Sequence, residues 1–218
     1  MLISIPDVIP RDEAVSIGAR LRALEWVDTP GAPSRGRQLR ENDEQARALR
    51  AAVQRAVGAH PMFLAAAIPA RIHPPEFNRY GAGEGMGRHV DAAIRIDPDS
   101  RSQFRTDLCA TLFLTDPKNY DGGALIIDEP SGPKDYKLPA GHMLLYPATS
   151  FHRVAQVTRG ERVASFLWVQ SLVSDAGVRE MLFDIDRSVQ AIATARDGED
   201  EEVMRLTRVY HNLLRRYS

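Results

Sequence analysis

The chain has 218 residues, of which 44% are hydrophobic and 26% are charged, and its formal net charge is −1. The length fits one large domain or two small ones, and we favour one. The composition is typical of a globular protein, and a chain this long buries roughly 70% of its unfolded surface. The net charge excludes a general attraction to nucleic acid or to anionic lipid and leaves local arginine-rich patches open. Cys109 is the sole cysteine, which excludes an intramolecular disulfide and a cysteine-based metal cage and favours a reducing compartment.

The N-terminal third predicts helices on either side of one loop. A short apolar strand within residues 3–9 precedes a helix over residues 12–24, and an amphipathic helix follows over residues 42–57 with Asn42 as its N-cap. Residues 28–41 are rich in Pro, Gly and Arg, which is typical of a loop. The chain starts without a basic leader, and no apolar run reaches about 20 residues, so we expect a cytoplasmic protein with no membrane partner.

From residue 70 the apolar pattern changes from helical spacing to that of short strands. Predicted strands cover residues 71–80, 105–114, 123–127, 136–138, 142–146, 153–157 and 163–170. Turns rich in Gly and Pro separate them, and many short strands divided by such turns favour a sandwich or barrel of the jelly-roll kind. Residues 92–103 form a polar connection, which fits a lid over a site and a plain solvated loop equally well.

The last third returns to helical spacing. Helices are predicted over residues 175–195 and 202–217, each with an apolar stripe along one side. We interpret these helices as cover for the barrel, and a homo-oligomer interface is the alternative use of their stripes. The predicted organisation is a single domain, 1–218, with three parts: N-terminal helical support over 1–69, a catalytic core over 70–172 and a C-terminal helical extension over 173–218.

His89 and Asp91 provide an imidazole and a carboxylate two residues apart, after a glycine-rich approach. On an extended strand such residues point to the same side, so both can reach one metal ion. His152, at the start of a later apolar run, is the best candidate for a third ligand. Two imidazoles and one carboxylate form the ligand set of non-haem iron oxygenases. The residues alone leave an unrelated surface pair as the alternative, because His-x-Asp is common by chance.

Arg162 opens an apolar run ten residues after His152, and its guanidinium needs an anion if that run is buried. Tyr80, nine residues before His89, has a hydroxyl that can donate to the same anion. Together these two residues predict an anion pocket beside the metal. The other histidines and two aspartates are interpreted as structural, namely His60, His73, His142, His211, Asp107 and Asp121.

The same spacings resemble the prolyl-hydroxylase-like branch of the iron(II)/2-oxoglutarate dioxygenases. Blocks across almost the whole chain resemble the bacterial PKHD-type hydroxylases: FNRY at 77–80, HVD at 89–91, RTDL at 105–108, YDGG at 120–123, LPAG at 138–141, VTRG at 157–160 and YHNLLR at 210–215. The resemblance implies an α+β or mainly β protein whose double-stranded β-helix core, of the jelly-roll or cupin-like kind, is buttressed by N-terminal and C-terminal helices. It also implies iron bound by His89, Asp91 and His152, with Arg162 binding the far carboxylate of 2-oxoglutarate.

The activity implied by the resemblance is that of an iron(II)- and 2-oxoglutarate-dependent dioxygenase. Such an enzyme couples oxidative decarboxylation of 2-oxoglutarate to succinate and CO2 with hydroxylation of a substrate, and O2 is the oxidant. Here we expect a small-molecule or amino-acid-type substrate, ascorbate as reductant and no nucleic-acid partner. A catalytically silent sensor that binds iron and 2-oxoglutarate is the first alternative. A cupin-like metal hydrolase or isomerase is the second, and Arg162 and Tyr80 disfavour it.

Three features depart from the pattern of the family. Met86 stands where an aromatic residue is usual, His142 stands where an acid is usual, and the loop over residues 29–40 is shortened and altered. These departures leave the metal site intact and bear on the substrate instead. Arg95 and residues 92–103 follow directly after two predicted ligands, so we expect them to face the substrate at the mouth of the barrel.

Overall fold

The computed structural model of the chain describes residues 1–28, 37–39, 43–96, 101–196 and 200–218. Its helices are α1 (Arg11–Arg22), α2 (Glu44–Ala59), α3 (Pro61–Ala67), α4 (Ala176–Ala195) and α5 (Glu201–Tyr217). Its strands are β1 (Ile3–Ile5), β2 (Trp26–Asp28), β3 (Arg37–Leu39), β4 (Pro69–Ile72), β5 (Glu76–Tyr80), β6 (Met86–His89), β7 (Ile94–Ile96), β8 (Gln103–Arg105), β9 (Leu108–Phe113), β10 (Tyr120–Gly122), β11 (Leu125–Glu129), β12 (Gly132–Tyr136), β13 (Met143–Pro147), β14 (His152–Val154), β15 (Val157–Gly160) and β16 (Arg162–Ser171). The fold is therefore α+β, with helices at both ends of a strand-rich middle.

Aspartate side chains cap the N-termini of three of the helices. Asp43 accepts a hydrogen bond from the Ala46 backbone N–H at 3.0 Å, and Asp175 and Asp200 accept equivalent bonds at the starts of α4 and α5. The prediction of Asn42 as the N-cap of α2 is therefore wrong by one residue, and Asn42 itself lies outside the described residues. Helix α3 has no counterpart in the prediction, because seven residues that begin with proline are too short to show a helical period. None of the described helices combines the length and apolarity needed to cross a membrane.

Every strand pair in the described part of the chain is antiparallel. The largest sheet has eight strands, in the order β1, β13, β9, β16, β5, β3 and β2, with β4 also paired to β16. A second sheet has four strands, in the order β12, β11, β14 and β6. Two further pairs join β10 to β15 and β7 to β8.

Several predicted segments differ from the structure. The strand predicted over residues 71–80 is divided into β4 and β5, because Pro74 and Pro75 have no N–H for a sheet ladder. The strand predicted over residues 136–138 lies earlier, as β12. The predicted loop over residues 28–41 contains β3, and most of the rest of that loop falls outside the described residues. Residues 92–103, predicted as a polar connection, contain β7 and the first residue of β8, which pair with each other.

The large sheet separates two hydrophobic cores. Strand β9 is buried along its whole length, and its residues alternate between the cores because strand side chains point to opposite faces in turn. Leu108, Ala110 and Leu112 pack with helices α1 to α3 in the first core. Cys109 and Phe113 pack in the second core, which also contains side chains of the four-stranded sheet. The second core is where the predicted metal and anion residues come together.

We predict that Gly141, in the turn before β13, tolerates no side chain. Its φ is +91°, and an added Cβ would lie 2.2 Å from the carbonyl oxygen of Ile9. Gly141→Ala should therefore lower the free energy of unfolding by more than about 2 kcal/mol, because it combines left-handed strain with a backbone clash. Gly132→Ala is the matched control, since φ there is +108° but no atom lies within 4 Å. Strain alone should cost it about 1 kcal/mol. Urea denaturation measures both losses, and equal losses would contradict the role of the clash.

Candidate metal and anion site

Two histidines and one aspartate come together at the edge of the four-stranded sheet. His89 at the end of β6 and His152 at the start of β14 are cross-strand partners, and their ring centroids are 4.2 Å apart. Asp91 follows β6, and its carboxylate oxygens lie 3.8 Å from the Nε2 atom of each histidine. One ligand atom from each residue lies within 4.8 Å of the other two. The structure thus brings the three predicted ligands to one point.

Backbone carbonyls orient both imidazoles. The Nδ1 atom of His89 is 2.9 Å from the Gly87 oxygen, and that of His152 is 3.1 Å from the Ser150 oxygen. Because a carbonyl can only accept, each Nδ1 carries the proton and donates it, which leaves the Nε2 lone pair for a metal. Burial also lowers the pKa of His152, which keeps this ring neutral. Both rings are therefore presented in the form that binds metal.

Two neighbouring strands of the large sheet hold the Asp91 carboxylate. Its Oδ2 atom accepts hydrogen bonds from the Cys109 thiol and from the Trp168 indole N–H, each at 2.9 Å. Cys109 and Trp168 are cross-strand partners on β9 and β16, so their spacing is set by the sheet. Burial raises the pKa of Asp91, but these two hydrogen bonds, together with the smaller electrostatic effects of the nearby His152 and Arg95 side chains, outweigh it and lower the pKa overall. The carboxylate is thus anionic, and Oδ1 remains available for a metal.

A cavity of about 290 Å³ adjoins the three residues, and Arg162 and Tyr80 lie in its wall. They are cross-strand partners on β16 and β5, with exposed fractions of only 1% and 2%. The Arg162 guanidinium donates to Asn78 Oδ1 at 3.1 Å, while its Nε atom is buried without a hydrogen-bond partner in the described structure. Among the described residues, the Tyr80 hydroxyl donates to a weak acceptor, the Met86 sulfur, at 3.7 Å. The Arg162 guanidinium is thus a buried cation with no carboxylate partner among the described residues, and such a cation is suited to an anionic ligand.

The site contains residues that sequence reasoning missed. The sequence places Cys109 and Trp168 on predicted strands and Asn78 within a motif, and it predicts no role in the site for any of the three. Tyr120 has a buried hydroxyl beside the Arg162 guanidinium; burial raises its pKa, and the charge of Arg162 and a hydrogen bond with it oppose that rise. Even spacing could have identified two of them, since Asn78 is two residues before Tyr80 and Trp168 is six residues after Arg162, each on a shared strand face.

The residues read as structural lie elsewhere or make local bonds. Asp107 accepts hydrogen bonds from Arg105 and from the Ser171 backbone, and Asp121 pairs with Arg159. His142 lies beside Asp7, with 3.6 Å between its Nε2 and the Asp7 Oδ1. His73 stacks on Phe104 and packs edge-on against Trp168. His60 and His211 do not line the cavity either, so none of these side chains adds a metal ligand to the three already described.

The strand-rich middle of the chain matches the family profile of the 2OG-Fe(II) oxygenase superfamily over residues 75–170, a range that includes the three clustered residues and Arg162. A prolyl-4-hydroxylase from Pseudomonas putida has a similar structure, with a TM-score of 0.56 and 20% identity over 78% of this chain and 92% of that one. HygX from Streptomyces hygroscopicus, with nickel and 2-oxoglutarate bound, gives a TM-score of 0.55 and 18% identity over 78% and 82%. The chain is an enzyme of the 2-oxoglutarate-dependent non-haem iron dioxygenase class.

The C-terminal helices narrow this class to one family. Residues 177–218 match the PKHD-type hydroxylase C-terminal domain. PKHD-type hydroxylases from Methylobacillus flagellatus and Rhizorhabdus wittichii are each 46% identical over 225 aligned positions, which cover 100% of this chain and 99% of the relative. The chain belongs to the PKHD-type hydroxylase family, which confirms the resemblance predicted from its motifs.

We predict that the two donors to Asp91 control metal affinity. Trp168→Phe and Cys109→Ala each remove one hydrogen bond to Oδ2 and should weaken binding of a divalent metal ten- to a hundredfold, because the carboxylate loses its fixed orientation. Cys109→Ser keeps a donor at the same position and should remain close to the wild type. Anaerobic titration with iron(II) measures all three variants. Unchanged affinity in both donor-deleting variants would show that the sheet does not orient Asp91.

Proposed function

We propose that the two sheets around the second core form a double-stranded β-helix, and that His89, Asp91 and His152 hold iron(II) at its open end. The donor set supports this proposal, because two neutral imidazoles and one carboxylate suit ferrous iron and leave positions open for other ligands. The hydrogen bonds made by the three residues support it too. They occupy Nδ1 of His89 and of His152 and Oδ2 of Asp91, so both Nε2 atoms and Oδ1 are left free to coordinate.

The observation that carries the proposal is the buried Arg162 guanidinium in the same cavity as the three clustered residues. Its Nε has no protein partner in the described structure. Its charge acts on the nearby hydroxyls of Tyr80 and Tyr120, where it opposes the rise in pKa that burial causes. The far carboxylate of 2-oxoglutarate would accept from the guanidinium and from Tyr80, which satisfies groups that are otherwise costly to bury. A metal hydrolase or isomerase has no need for this cation.

Each residue then has a defined task. Arg162 and Tyr80 bind one end of 2-oxoglutarate, which directs its 2-oxo acid end toward His89, Asp91 and His152. Aromatic side chains of the second core exclude water from the same space. When bound, iron(II) supplies the activation of O2 that couples decarboxylation of 2-oxoglutarate, to succinate and CO2, with hydroxylation of the substrate. Ascorbate is the proposed reductant that keeps the iron ferrous.

We propose one domain, with the boundaries at 69/70 and 172/173, and the ranges matched to the two family profiles support the second boundary. The proposed substrate is a small molecule or an amino-acid-type compound, without a nucleic-acid partner. A homo-oligomer through the helical stripes and a cytoplasmic location remain predictions.

Turnover of the co-substrate tests the proposed function against the alternative of a silent sensor. Wild-type protein supplied with iron(II), 2-oxoglutarate, O2 and ascorbate should form succinate, at least by slow uncoupled turnover. Asp91→Ala should form none, because it removes the anionic ligand and leaves two imidazoles. Succinate is measured by mass spectrometry, and circular dichroism checks that the variant is folded.

Two results would count against an oxygenase. Full succinate formation by Asp91→Ala would contradict the assignment of Asp91 as an iron ligand. Tight binding of iron and 2-oxoglutarate by the wild type, without any succinate across a broad panel of substrates, would favour the sensor instead.

Substitution of Arg162 distinguishes a 2-oxoglutarate-dependent enzyme from other metal-binding barrel proteins. Arg162→Met should weaken 2-oxoglutarate binding by roughly 3–5 kcal/mol, because the buried carboxylate loses its counter-ion, and this corresponds to about a hundred- to several thousand-fold in Kd. Iron(II) binding should be retained, and Arg162→Lys should recover part of the affinity because it keeps the charge without the two-pronged geometry. Parallel titrations with iron(II) and 2-oxoglutarate measure both.

A nearby arginine provides the matched control for this titration. Arg79 precedes Tyr80 on β5, but its guanidinium pairs with Glu161 outside the cavity, so Arg79→Met should bind 2-oxoglutarate like the wild type. If Arg162→Met also binds it like the wild type, then Arg162 is only a core arginine and the co-substrate assignment fails.

A further inference from the structure

Among the described residues, Arg95 is one of three arginines that line the cavity, and it comes from a strand outside the two main sheets. The other two are Arg162 and Arg37, and the Arg37 Nε atom lies 3.4 Å from the Glu84 carboxylate. Arg95 is the middle residue of β7, between Ile94 and Ile96, which are 53% and 55% exposed. Arg95 itself lines the cavity, and its Nε atom is fully buried. The usual alternation of a surface strand is thus inverted, because the charged residue points inward and the two apolar residues point to solvent.

Within the described part of the chain, the contacts of Arg95 hold its position and leave its Nε donor without a partner. Its guanidinium carbon lies 3.2 Å from the centre of the Trp168 ring, which fixes the plane of the group by stacking. Its Nε has no hydrogen-bond partner in the described structure. Its nearest carboxylate atom, Asp91 Oδ1, is 3.9 Å from a terminal nitrogen, which is beyond hydrogen-bond range. A guanidinium has five N–H donors, so this one is set for a ligand that brings oxygen atoms.

Metal binding makes Asp91 a still poorer partner for Arg95. The Oδ2 atom already accepts from Cys109 and Trp168, and Oδ1 is the atom left for iron. Glu76 on β5 also lines the cavity and stabilises the Arg95 charge from a distance. Once the carboxylate of Asp91 serves a divalent cation, Arg95 lies beside added positive charge and needs an anion of its own.

The co-substrate does not supply that anion. Of the two carboxylates of 2-oxoglutarate, the proposed function assigns one to Arg162 and the other to the metal. The Arg162 side chain is closed off at 1% exposure, whereas that of Arg95 is 29% exposed and lies on the open side of the cavity. A cavity of about 290 Å³ is at the small end for ligand sites. It therefore admits 2-oxoglutarate and only one end of a second molecule.

We propose that Arg95 binds a carboxylate of the prime substrate, and that the substrate is an anion whose carboxylate end enters the cavity beside Trp168. The proposal rests on the proposed function, since it takes the metal and 2-oxoglutarate as neighbours. Arg95 is a specificity-determining residue in this scheme: its stacked guanidinium offers two parallel N–H donors to a planar carboxylate, and a neutral amide of equal size leaves the cation uncompensated.

The test uses trifluoroacetate as the carboxylate probe and trifluoroacetamide as its neutral match. The full-length protein is loaded with manganese(II), which replaces iron without turnover, and with saturating 2-oxoglutarate. Paramagnetic relaxation of the fluorine signal then reports each probe near the metal. Wild type should bind trifluoroacetate saturably, and Arg95→Met should bind it at least tenfold more weakly, as expected for the loss of a charge-assisted hydrogen bond. Arg95→Lys should be intermediate, and trifluoroacetamide should show no saturable binding.

Arg88→Met is the matched control for charge near the mouth of the cavity. Arg88 is half exposed, pairs with Asp128, stacks on Phe151 and does not line the cavity, so this variant should bind trifluoroacetate like the wild type. Equal probe binding by wild type and Arg95→Met, equal binding of the amide, or no saturable binding by the wild type would each overturn the proposal. A loss of 2-oxoglutarate affinity as large as the loss for trifluoroacetate would instead assign Arg95 to the co-substrate and overturn it too.

The same samples separate this inference from the proposed function. If the wild type fails to bind 2-oxoglutarate, the proposed function fails. The trifluoroacetate comparison between wild type and Arg95→Met, made with manganese(II) alone, then still decides whether Arg95 binds an anion. Arg95→Lys keeps the stem and charge of the side chain, so it serves as the reference if Arg95→Met is less stable.

Discussion

The carboxylate of Asp91 has to be charged, oriented and sheltered from water at the same time, and its two hydrogen bonds meet all three conditions. Cys109 and Trp168 donate to one oxygen from adjacent strands of the large sheet, while the two histidines approach from the four-stranded sheet. Neither sheet could build the site alone. The geometry of the three clustered residues therefore depends on how the two sheets are held against each other, and the second hydrophobic core between them supplies that constraint.

Strand β16 shows how this arrangement gives the cavity two different ends. Arg162 and Trp168 are six residues apart, so they lie on the same face and are separated by about 20 Å of strand. Arg162 faces Tyr80 across one neighbouring strand, and Trp168 faces Cys109 across the other. One end is thereby cationic and closed, and the other holds Asp91 and carries Arg95 on the Trp168 ring. The proposed order of ligands, with 2-oxoglutarate deep in the cavity and the substrate near the mouth, follows from this polarity.

Sequence reasoning reached the class of enzyme, the family, the mixed fold and the grouping of His89, Asp91 and His152. These features reside in local motifs and in periodicity, which a sequence displays directly. It missed Cys109 and Trp168 as partners of Asp91, because their contact depends on the register between two strands far apart in the chain. It also placed the N-cap of α2 at Asn42 instead of Asp43, since two adjacent residues with equal capping ability cannot be ranked by type. The roles of the three clustered residues as iron ligands, and of Arg162 toward 2-oxoglutarate, stay predictions.

The departures from the family pattern now differ in their weight. His142 lies next to Asp7 and does not line the cavity, so the structure gives it no contact with a substrate bound there. Met86 does line the cavity, and its sulfur is the acceptor nearest to the Tyr80 hydroxyl. A thioether is a weak hydrogen-bond acceptor and the methionine side chain is flexible, so the Tyr80 hydroxyl can turn to a stronger acceptor such as a carboxylate. An aromatic side chain at this position would present a rigid plane instead. Met86 thus alters the wall beside the proposed 2-oxoglutarate pocket and leaves the three clustered residues unchanged.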